Sequence, residues 1–191
     1  MTDVLLPQST RRIVVFGHSG SGKTTVGRTI ADRLGLARIE LDALFHKPNW
    51  EPSTDEEFHA KVARALEDAT QGWVVDGNYS RVHDLTLGQA ETAIWLRLPF
   101  RVVYPRLIWR TVSRAWTKES LWGTNRESWR LSFMSRDSIL LWGITNWRPH
   151  VRKMHHTLAE TPHNARVIEM RSTREVDALL RSLPAQRDTV H

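Results

Sequence analysis

The chain has 191 residues, no cysteine and a formal net charge of +6, a size typical of one domain, so we treat residues 1–191 as a single domain. The missing thiols exclude disulfides and thiolate metal sites and make a reducing, cytoplasmic setting the default expectation. No stretch approaches the roughly 18 apolar residues of a membrane span, and we expect no signal peptide because the first residues lack a basic region. The positive charge suits an anionic partner, either a nucleotide or a nucleic acid, and does not choose between them.

The first predicted elements enclose a glycine-rich loop. Ile13 to Phe16 predicts a short buried strand, and apolar residues spaced four apart from Val26 predict a helix that stops at Gly35. Between them, the sequence GHSGSGKT fits G-x-x-x-x-G-K-[ST], the phosphate-binding loop or P-loop. The candidate nucleotide-binding residues are Gly17, His18, Ser19, Gly20, Ser21, Gly22, Lys23 and Thr24.

The P-loop pattern has a chemical reason. Glycines let successive backbone N–H groups point at phosphate oxygens, and the N-terminus of the following helix adds its positive dipole end. In such loops the lysine, here Lys23, reaches the β- and γ-phosphates, and the hydroxyl of Thr24 is a ligand for Mg²⁺. The sequence therefore predicts a site for ATP and Mg²⁺.

The remaining elements alternate short apolar strands with helices, which predicts a parallel α/β sheet with right-handed crossovers. We expect a last segment, 184–191, to be a frayed tail. The pattern predicts four further strands, at 37–41, 73–75, 93–98 and 166–170. It predicts a loop at 46–52, a helix from a capping box at Thr54 and Glu57 to residue 69, and a short helix at 81–87. It also predicts a helix at 101–116 whose regular part begins at Pro105, a largely helical stretch at 125–158 and a helix at 173–183.

Two acidic residues follow predicted strands, where parallel sheets bind their ligands. Asp76 fits the acidic residue that supports Mg²⁺ in P-loop proteins, or it caps the next helix. Asp42 is placed to contact a substrate or to accept the proton of an acceptor hydroxyl, or it is a cap. Transfer to a phosphate needs no such base, because the acceptor oxygen is already anionic.

Three arginines stand four apart after the strand at 93–98. Arg106, Arg110 and Arg114 share one helix face, where like charges repel unless something anionic meets them. They are either a solvated basic face or a device that stabilises the charge of a transferring phosphoryl group. Trp109 lies away from this stripe, and we expect it to face the core.

The positive charge is concentrated in residues 97–153, which hold twelve Lys and Arg residues against three acidic ones. Five tryptophans lie within 116–147, and Arg126 is a further candidate catalytic residue. Part of this segment, approximately 115–150, could close over a nucleotide as a helical lid, or it could stack on single-stranded nucleic acid. Packing of tryptophans between helices, with the arginines outside, is the third interpretation.

Five stretches carry a family resemblance: GHSGSGKTT, ELDALFHKPNW, WVVDGNY, AIWLRLP and LWGTNRES. Together they resemble the adenylate-kinase-like P-loop proteins that are labelled DNA topology modulation proteins, over roughly residues 11–183. The resemblance implies a nucleoside-monophosphate-kinase fold, with a five-stranded parallel sheet of order 2-3-1-4-5 and a mobile lid. It also implies that residues 17–25, including Thr25, hold the donor phosphates, that Arg110 and Arg114 begin the lid, and that Arg171 lies near the adenine.

The acceptor site departs from the resemblance. Adenylate kinases read D-G-[FY]-P-R, whereas this chain reads DGNYSR from Asp76 to Arg81. Asp42 near Trp50 also resembles small-molecule kinases of the shikimate and gluconate type. The sequence therefore predicts an ATP- and Mg²⁺-dependent phosphotransferase whose acceptor is a nucleoside monophosphate or a small hydroxyl metabolite. The alternative is an ATP-dependent protein that associates with nucleic acid.

Overall fold

The computed structural model describes residues 6–7, 9–117, 120–121, 125–126 and 147–184. Among these, only the backbone is described for Asn49 and for the residues from 114 to 126. Most of the predicted lid and most of the predicted tail therefore lie outside the described residues. In the described part, no helix is long and apolar enough to cross a membrane.

The centre of the fold is a sheet of five parallel strands in the spatial order β2-β3-β1-β4-β7. Numbered among themselves, these strands have the order 2-3-1-4-5, which confirms the predicted topology. The five strands of the sheet are β1 (Arg12–Gly17), β2 (Ala37–Glu40), β3 (Trp73–Asp76), β4 (Thr92–Leu96) and β7 (Arg166–Met170). A separate two-stranded hairpin is formed by β5 (Ser120–Leu121) and β6 (Asn125–Arg126).

Helices cover both faces of this sheet, as the alternating pattern predicts. The helices are α1 (Lys23–Leu34), α2 (Leu41–Phe45), α3 (Asp55–Asp68), α4 (His83–Thr86), α5 (Phe100–Thr117), α6 (Trp147–Glu160) and α7 (Thr173–Ser182), with 3-10 turns at Pro48–Trp50 and Ser80–Val82. The capping box predicted at Thr54 and Glu57 is present at the start of α3.

The side chains of β1 divide the core into two layers. Ile13 and Val15 belong to a buried cluster with α1 and α7, and Val14 and Phe16 belong to a second cluster with α3 and α6. Because both faces are covered, the three central strands β3, β1 and β4 are largely apolar and almost entirely buried. The carboxyl edge of the sheet is where polar side chains gather.

Several predicted bounds are wrong: β4 ends at Leu96 and not at Leu98, and residues 125–126 form strand β6 and not the start of a helix. The strand predicted to run to Leu41 ends at Glu40, and α2 starts directly, so Asp42 lies in the first turn of a helix. The helix α5 begins at Phe100, not at Pro105, because the carbonyl of Pro99 accepts from the N–H groups of Val102 and Val103 at 2.9 and 3.2 Å. A proline inside a helix removes one bond to the carbonyl four residues earlier, and here that carbonyl belongs to the exposed Arg101.

Trp109 is also placed differently from the prediction. Its side chain is 75% exposed, so it does not face the core. The core contacts of α5 come instead from Val103, Leu107 and Thr111, which are buried at four-residue spacing. The tryptophan pattern alone does not distinguish these two faces.

Candidate nucleotide and phosphoryl-transfer site

The P-loop lies between β1 and α1, as predicted, and its glycines are required by its geometry. Gly20 and Gly22 have φ values of +86° and +91°, in the left-handed region that favours glycine. A Cβ at Gly20 would lie 2.7 Å from the carbonyl oxygen of Val103 and 3.1 Å from the backbone nitrogen of Leu107. The loop is therefore packed directly against the backbone of α5.

A cavity of about 610 Å³ opens over the P-loop and the first turns of α1. This volume falls within the roughly 300–1,000 Å³ of small-molecule sites. Arg106 and Arg110 of α5 line it on one side, and Thr173 and Val176 of α7 line it on another. Seven predicted site residues contribute to its wall: Gly20, Ser21, Gly22, Lys23, Thr24, Thr25 and Arg110.

The other predicted residues lie around this cavity or outside the described side chains. Arg171 follows β7, but its exposed side chain is bonded to the carboxylate of Glu169 at 2.9 and 3.2 Å. The side chains of Arg114 and Arg126 are outside the described part of the chain. Gly17, His18 and Ser19 form the start of the P-loop.

Lys23 lies near both candidate carboxylates. Its ammonium nitrogen is 3.4 Å from the carbonyl oxygen of His18, to which it donates a hydrogen bond. Burial lowers the pKa of Lys23, whereas the charges of Asp42 and Asp76 act in the opposite direction. The lysine is therefore within electrostatic reach of both acidic residues, Asp42 in α2 and Asp76 at the end of β3.

Asp76 lies at the end of β3 and is almost completely buried. Burial raises the pKa of its carboxyl group, and the positive charges of Lys23 and Arg38 oppose that shift. The guanidinium of Arg38, which also pairs with Glu40, approaches Oδ2 of Asp76 to 3.9 Å. That oxygen has no hydrogen-bond partner among the described residues.

The surroundings of Asp76 fit a magnesium site. A Cβ at Gly27 would lie 3.5 Å from Oδ2 of Asp76, so the carboxylate faces α1. Thr24 precedes Gly27 by three residues, which puts both on one side of the helix. Mg²⁺ is commonly held by one or two protein oxygens together with phosphates and water. A hydroxyl and one carboxylate can supply such oxygens, and within the described ranges no group of three or more acidic, His or Cys residues could hold a metal.

Asp42 is held by a neighbour that sequence analysis did not single out. The hydroxyl of Tyr79 donates a hydrogen bond of 2.7 Å to Oδ1 of Asp42. The ring of Tyr79 packs against Phe45 and Phe58, with centroids 4.9 and 5.1 Å away. Burial and the charge of Asp42 both raise the pKa of Tyr79, so its hydroxyl keeps its proton.

Asn78 ties the end of β3 to the start of the P-loop. Its Oδ1 accepts from the N–H of Gly17 at 3.1 Å, and its Nδ2 donates to the carbonyl of Gly17 at 2.6 Å. Asn78 and Tyr79 lie in the stretch DGNYSR, which departs from the adenylate kinase pattern because it lacks the proline and its arginine comes one residue late. That departure was the feature of the sequence that could have drawn attention to these two residues.

His18 connects the P-loop to α6. The side chain is buried, and its ring contacts the rings of Trp147 and His150, with centroids 5.3 and 5.2 Å away. Burial lowers the pKa of His18, and the nearby charges of Lys23 and Arg110 act in the same direction. The first turn of α6 therefore packs against the start of the P-loop, although the sequence pattern gave no indication of this contact.

Comparison with known proteins gives relatives that share this fold. No protein-family model matches the chain. A shikimate kinase of Azobacteroides pseudotrichonymphae genomovar. CFP2 is 29% identical over 112 residues, which is 51% of this chain and 66% of that protein. An adenylate kinase isoenzyme 6 homolog of Caenorhabditis elegans is 29% identical over 143 residues, covering 66% of this chain and 78% of the relative.

Two solved structures extend the comparison. A shikimate kinase from Acinetobacter baumannii in complex with shikimate matches with a TM-score of 0.51 and 16% identity, over 89% of both chains. A gluconokinase from Sinorhizobium meliloti 1021 matches with a TM-score of 0.50 and 19% identity, over 91% of this chain and 89% of that chain. At these identities the matches show the fold.

The strand order and the P-loop together define the fold: a P-loop fold of the nucleoside-monophosphate-kinase type. The relatives named above are kinases, and they support the prediction of an ATP-dependent kinase with an unspecified acceptor. These relatives do not support the narrower label of DNA topology modulation, so that part of the resemblance remains a prediction.

Proposed function

We propose that the protein moves the γ-phosphoryl group of ATP to a hydroxyl group of a small metabolite. The observation that carries this proposal is the carboxylate of Asp42, which lies near Lys23 of the P-loop and is oriented by the hydroxyl of Tyr79. An acceptor hydroxyl must lose its proton during transfer, and a positioned carboxylate can take it. An acceptor phosphate has no such proton to lose.

The neighbourhood of Arg81 supports the same choice. In the pattern D-G-[FY]-P-R of adenylate kinases an arginine follows directly after the proline, and Arg81 comes one residue later. Its guanidinium is paired with Asp55 at 2.6 Å and lies 5.8 Å from the ring centroid of Phe45. A guanidinium already paired with a carboxylate is a poorer partner for an acceptor phosphate.

The remaining roles follow from the cavity over the P-loop. Backbone N–H groups of the loop and the ammonium group of Lys23 would bind the β- and γ-phosphates of ATP, and Arg110 would stabilise charge on the moving phosphoryl group. Thr24 and Asp76 would hold Mg²⁺, which supplies charge neutralisation on the phosphates when bound. Arg106 lines the same wall as Arg110 and would add to the positive field.

A transfer screen tests this proposal. Purified protein with ATP and Mg²⁺ is offered shikimate, gluconate, other sugars and sugar acids, and nucleoside monophosphates. We expect a phosphate monoester from a hydroxyl compound and little product from the monophosphates. Product formed only from a nucleoside monophosphate would overturn the choice of acceptor, and ATP turnover stimulated only by DNA would favour the nucleic-acid alternative.

A further inference from the structure

A second cavity lies beside the P-loop, between the start of α6 and the residues that follow β3. Its volume is about 380 Å³, and its polar lining comes from Asn78, His83, His150, Lys153 and Thr157. Volumes near the lower end of the roughly 300–1,000 Å³ range suit a small metabolite better than a nucleotide. None of the roles proposed above uses this cavity.

Two histidines that line this cavity each have one imidazole nitrogen with no hydrogen-bond partner among the described residues. The side chain of His83 is 5% exposed, and its Nε2 is buried and unpartnered. The Nε2 of His150, on the facing helix, is likewise buried and unpartnered. A buried polar atom without a partner costs free energy, so most such atoms in proteins are satisfied by protein, water or ligand.

Both imidazoles are neutral at physiological pH. Burial lowers the pKa of His83 and of His150 to about 4 in each case, with the charge of Lys153 acting in the same direction. A neutral imidazole offers a donor at one nitrogen and an acceptor at the other, which suits a hydroxyl group. These two histidines therefore favour a hydroxylated molecule over a multiply charged one.

The charge of the lining adds a second requirement. Lys153 is exposed and is the one cation among the described residues that line the cavity, and none of them is acidic. A ligand with a single negative charge complements this arrangement. Met154 and Pro149 supply apolar surface on the α6 side.

The cavity also borders the start of the P-loop. Asn78 is hydrogen-bonded to both backbone groups of Gly17, and the ring of His150 contacts the ring of His18 with centroids 5.2 Å apart. Tyr79, which holds Asp42, is the next residue after Asn78. A molecule bound here is therefore next to the loop that would hold the donor phosphates.

We propose that this cavity binds the phosphoryl acceptor, and that the acceptor is a small hydroxylated molecule with one negative charge, such as a carboxylate. The assignment as acceptor rests on the proposed function, whereas binding of this chemical class does not. In the transfer step the acceptor oxygen forms a bond to the γ-phosphorus as the bond from that phosphorus to the β–γ bridging oxygen breaks. ADP leaves, and the hydroxyl proton passes to Asp42.

The test follows the two imidazoles directly. Protein labelled with ¹⁵N-histidine is titrated with sodium D-gluconate, shikimate or D-glycerate up to about 10 mM, a range that detects millimolar affinity, and the ring-nitrogen signals of His83 and His150 are recorded. D-sorbitol supplies hydroxyls without the carboxylate, and acetate supplies the carboxylate without hydroxyls. We expect at least one hydroxy acid to shift both histidines, and the two comparison compounds to bind more weakly.

Lys153→Gln tests the charge in a variant that should fold, because the side chain is exposed. We expect about fivefold weaker binding of the hydroxy acid, as befits an exposed ion pair, and unchanged binding of D-sorbitol. The matched control is Arg64→Gln, which removes one charge from an exposed position of α3. Equal weakening in both variants would contradict a specific contact with Lys153.

The outcomes separate this inference from the proposed function. Shifted imidazole signals without phosphoryl transfer would leave the binding site standing and overturn the function. Transfer to a hydroxyl compound that moves neither imidazole would overturn the site and leave the function. A panel in which no hydroxy acid moves either signal would mean that the cavity holds only water, and would also overturn the site.

Discussion

The hydroxyl of Tyr79 donates a 2.7 Å hydrogen bond to Oδ1 of Asp42. The donor ring is fixed by contacts with Phe45 and Phe58, so the carboxylate is oriented by a rigid neighbour rather than by solvent. One carboxylate oxygen is thereby engaged, and Oδ2 is the atom we expect to meet the acceptor. Orientation of this kind is a large part of what a positioned catalytic group needs.

Asp42→Asn should lower turnover by about 10²–10⁴-fold, with little change in the Michaelis constant for the acceptor, because an amide cannot accept the proton. Tyr79→Phe keeps the ring and removes only the orienting hydrogen bond, so we expect a smaller loss, about tenfold. Steady-state kinetics of both variants and of the double variant measure this. A rise in the Michaelis constant alone would mean that Asp42 binds the acceptor without acting as a base, and unchanged kinetics would make it a helix cap.

Lys23→Ala should reduce ATP turnover by at least about 10²-fold and weaken ATP binding, because it removes the positive group expected at the β- and γ-phosphates. The fold should persist, since the side chain lies at the cavity over the P-loop rather than in either apolar cluster. Turnover, ATP affinity and thermal unfolding are measured together, with Arg64→Ala as the control for loss of a charge. A folded variant with normal affinity and rate would contradict the role of this lysine.

Arg110→Ala should strongly reduce turnover, whereas Arg101→Ala on the same helix should not. Arg110 lines the cavity over the P-loop, and Arg101 is exposed outside it. We also expect Arg114→Ala to lower turnover, as the predicted partner of Arg110 at the start of the lid. The two-arginine comparison separates a local effect on the phosphoryl group from a general loss of positive charge.

The basic segment 97–153 as a whole can also be tested, because a lid over the nucleotide and a DNA-binding surface should behave differently. A lid should show slower hydrogen exchange over residues 106–152 when a bisubstrate-like nucleotide and Mg²⁺ are added, because closure excludes water. A DNA-binding surface should instead show affinity that falls steeply with salt, with a logarithmic slope of about −0.9 per phosphate contact. Tight, salt-dependent DNA binding near 150 mM salt, without nucleotide-dependent protection, would reject the lid.

Gly20→Ala should destabilise the protein much more than Gly22→Ala. The φ values are similar, at +86° and +91°, so both changes carry the strain of a left-handed alanine, about 1–2 kcal/mol. Only at Gly20 does the added Cβ meet backbone, and only there do we expect about 2–5 kcal/mol in total. Denaturant unfolding of the two variants gives the difference, and equal losses would show that the contact with α5 relaxes freely.

The stability of the protein should fall as the pH falls from about 6.5 to about 4. Burial lowers the pKa of His83 and His150 from 6.5 to about 4, so in this window the unfolded chain binds more protons than the folded chain. Unfolding free energy should then decrease by up to about 1.4 kcal/mol per pH unit for each histidine. Lys153 and Asp84 lie near His83, and His18, Lys23 and Lys153 lie near His150, so these groups are part of the same titration.

Urea unfolding at several pH values tests this dependence in the parent protein and in His150→Gln. The variant should have a flatter profile because it lacks one of the two imidazoles whose pKa is lowered to about 4. His156→Gln, which changes an exposed histidine of the same helix, is the matched control. A profile equally steep in all three proteins would assign the pH dependence to other groups.

The P-loop, the strand order and the capping box of α3 were predictable because their signals are local or belong to a shared pattern. The turn from β2 into α2 was not, because a short alternation of apolar and charged residues such as ARIEL does not reveal where the backbone changes direction. The prediction that the regular part of α5 begins at Pro105 was wrong, because a helix can accommodate a proline where the carbonyl that loses its hydrogen bond belongs to an exposed residue, here Arg101. Exposure of Trp109 depends on how α5 lies on its neighbours, which periodicity alone does not define.

In the candidate site, too, some residues were predictable from the sequence and others were not. Lys23, Thr24 and Asp76 are positioned by motif and strand end, so their types and spacing were informative. Tyr79 and His150 became recognisable only through partners distant in sequence, Asp42 and His18. A single tyrosine or histidine has no spacing rule, and its role depends on what the fold places opposite it.

The close approach of Gly20 to the backbone of Val103 and Leu107 has a mechanical consequence. The first two turns of α5 cannot move closer to the P-loop without moving the loop itself, so we expect this part of the helix and the loop to move as one unit. We therefore expect any closing motion of the chain that follows to hinge beyond Leu107, in the half of the helix that carries Arg110 and Arg114. Arg110 and Arg114 would then move with the closing part of the chain, while the P-loop keeps its position.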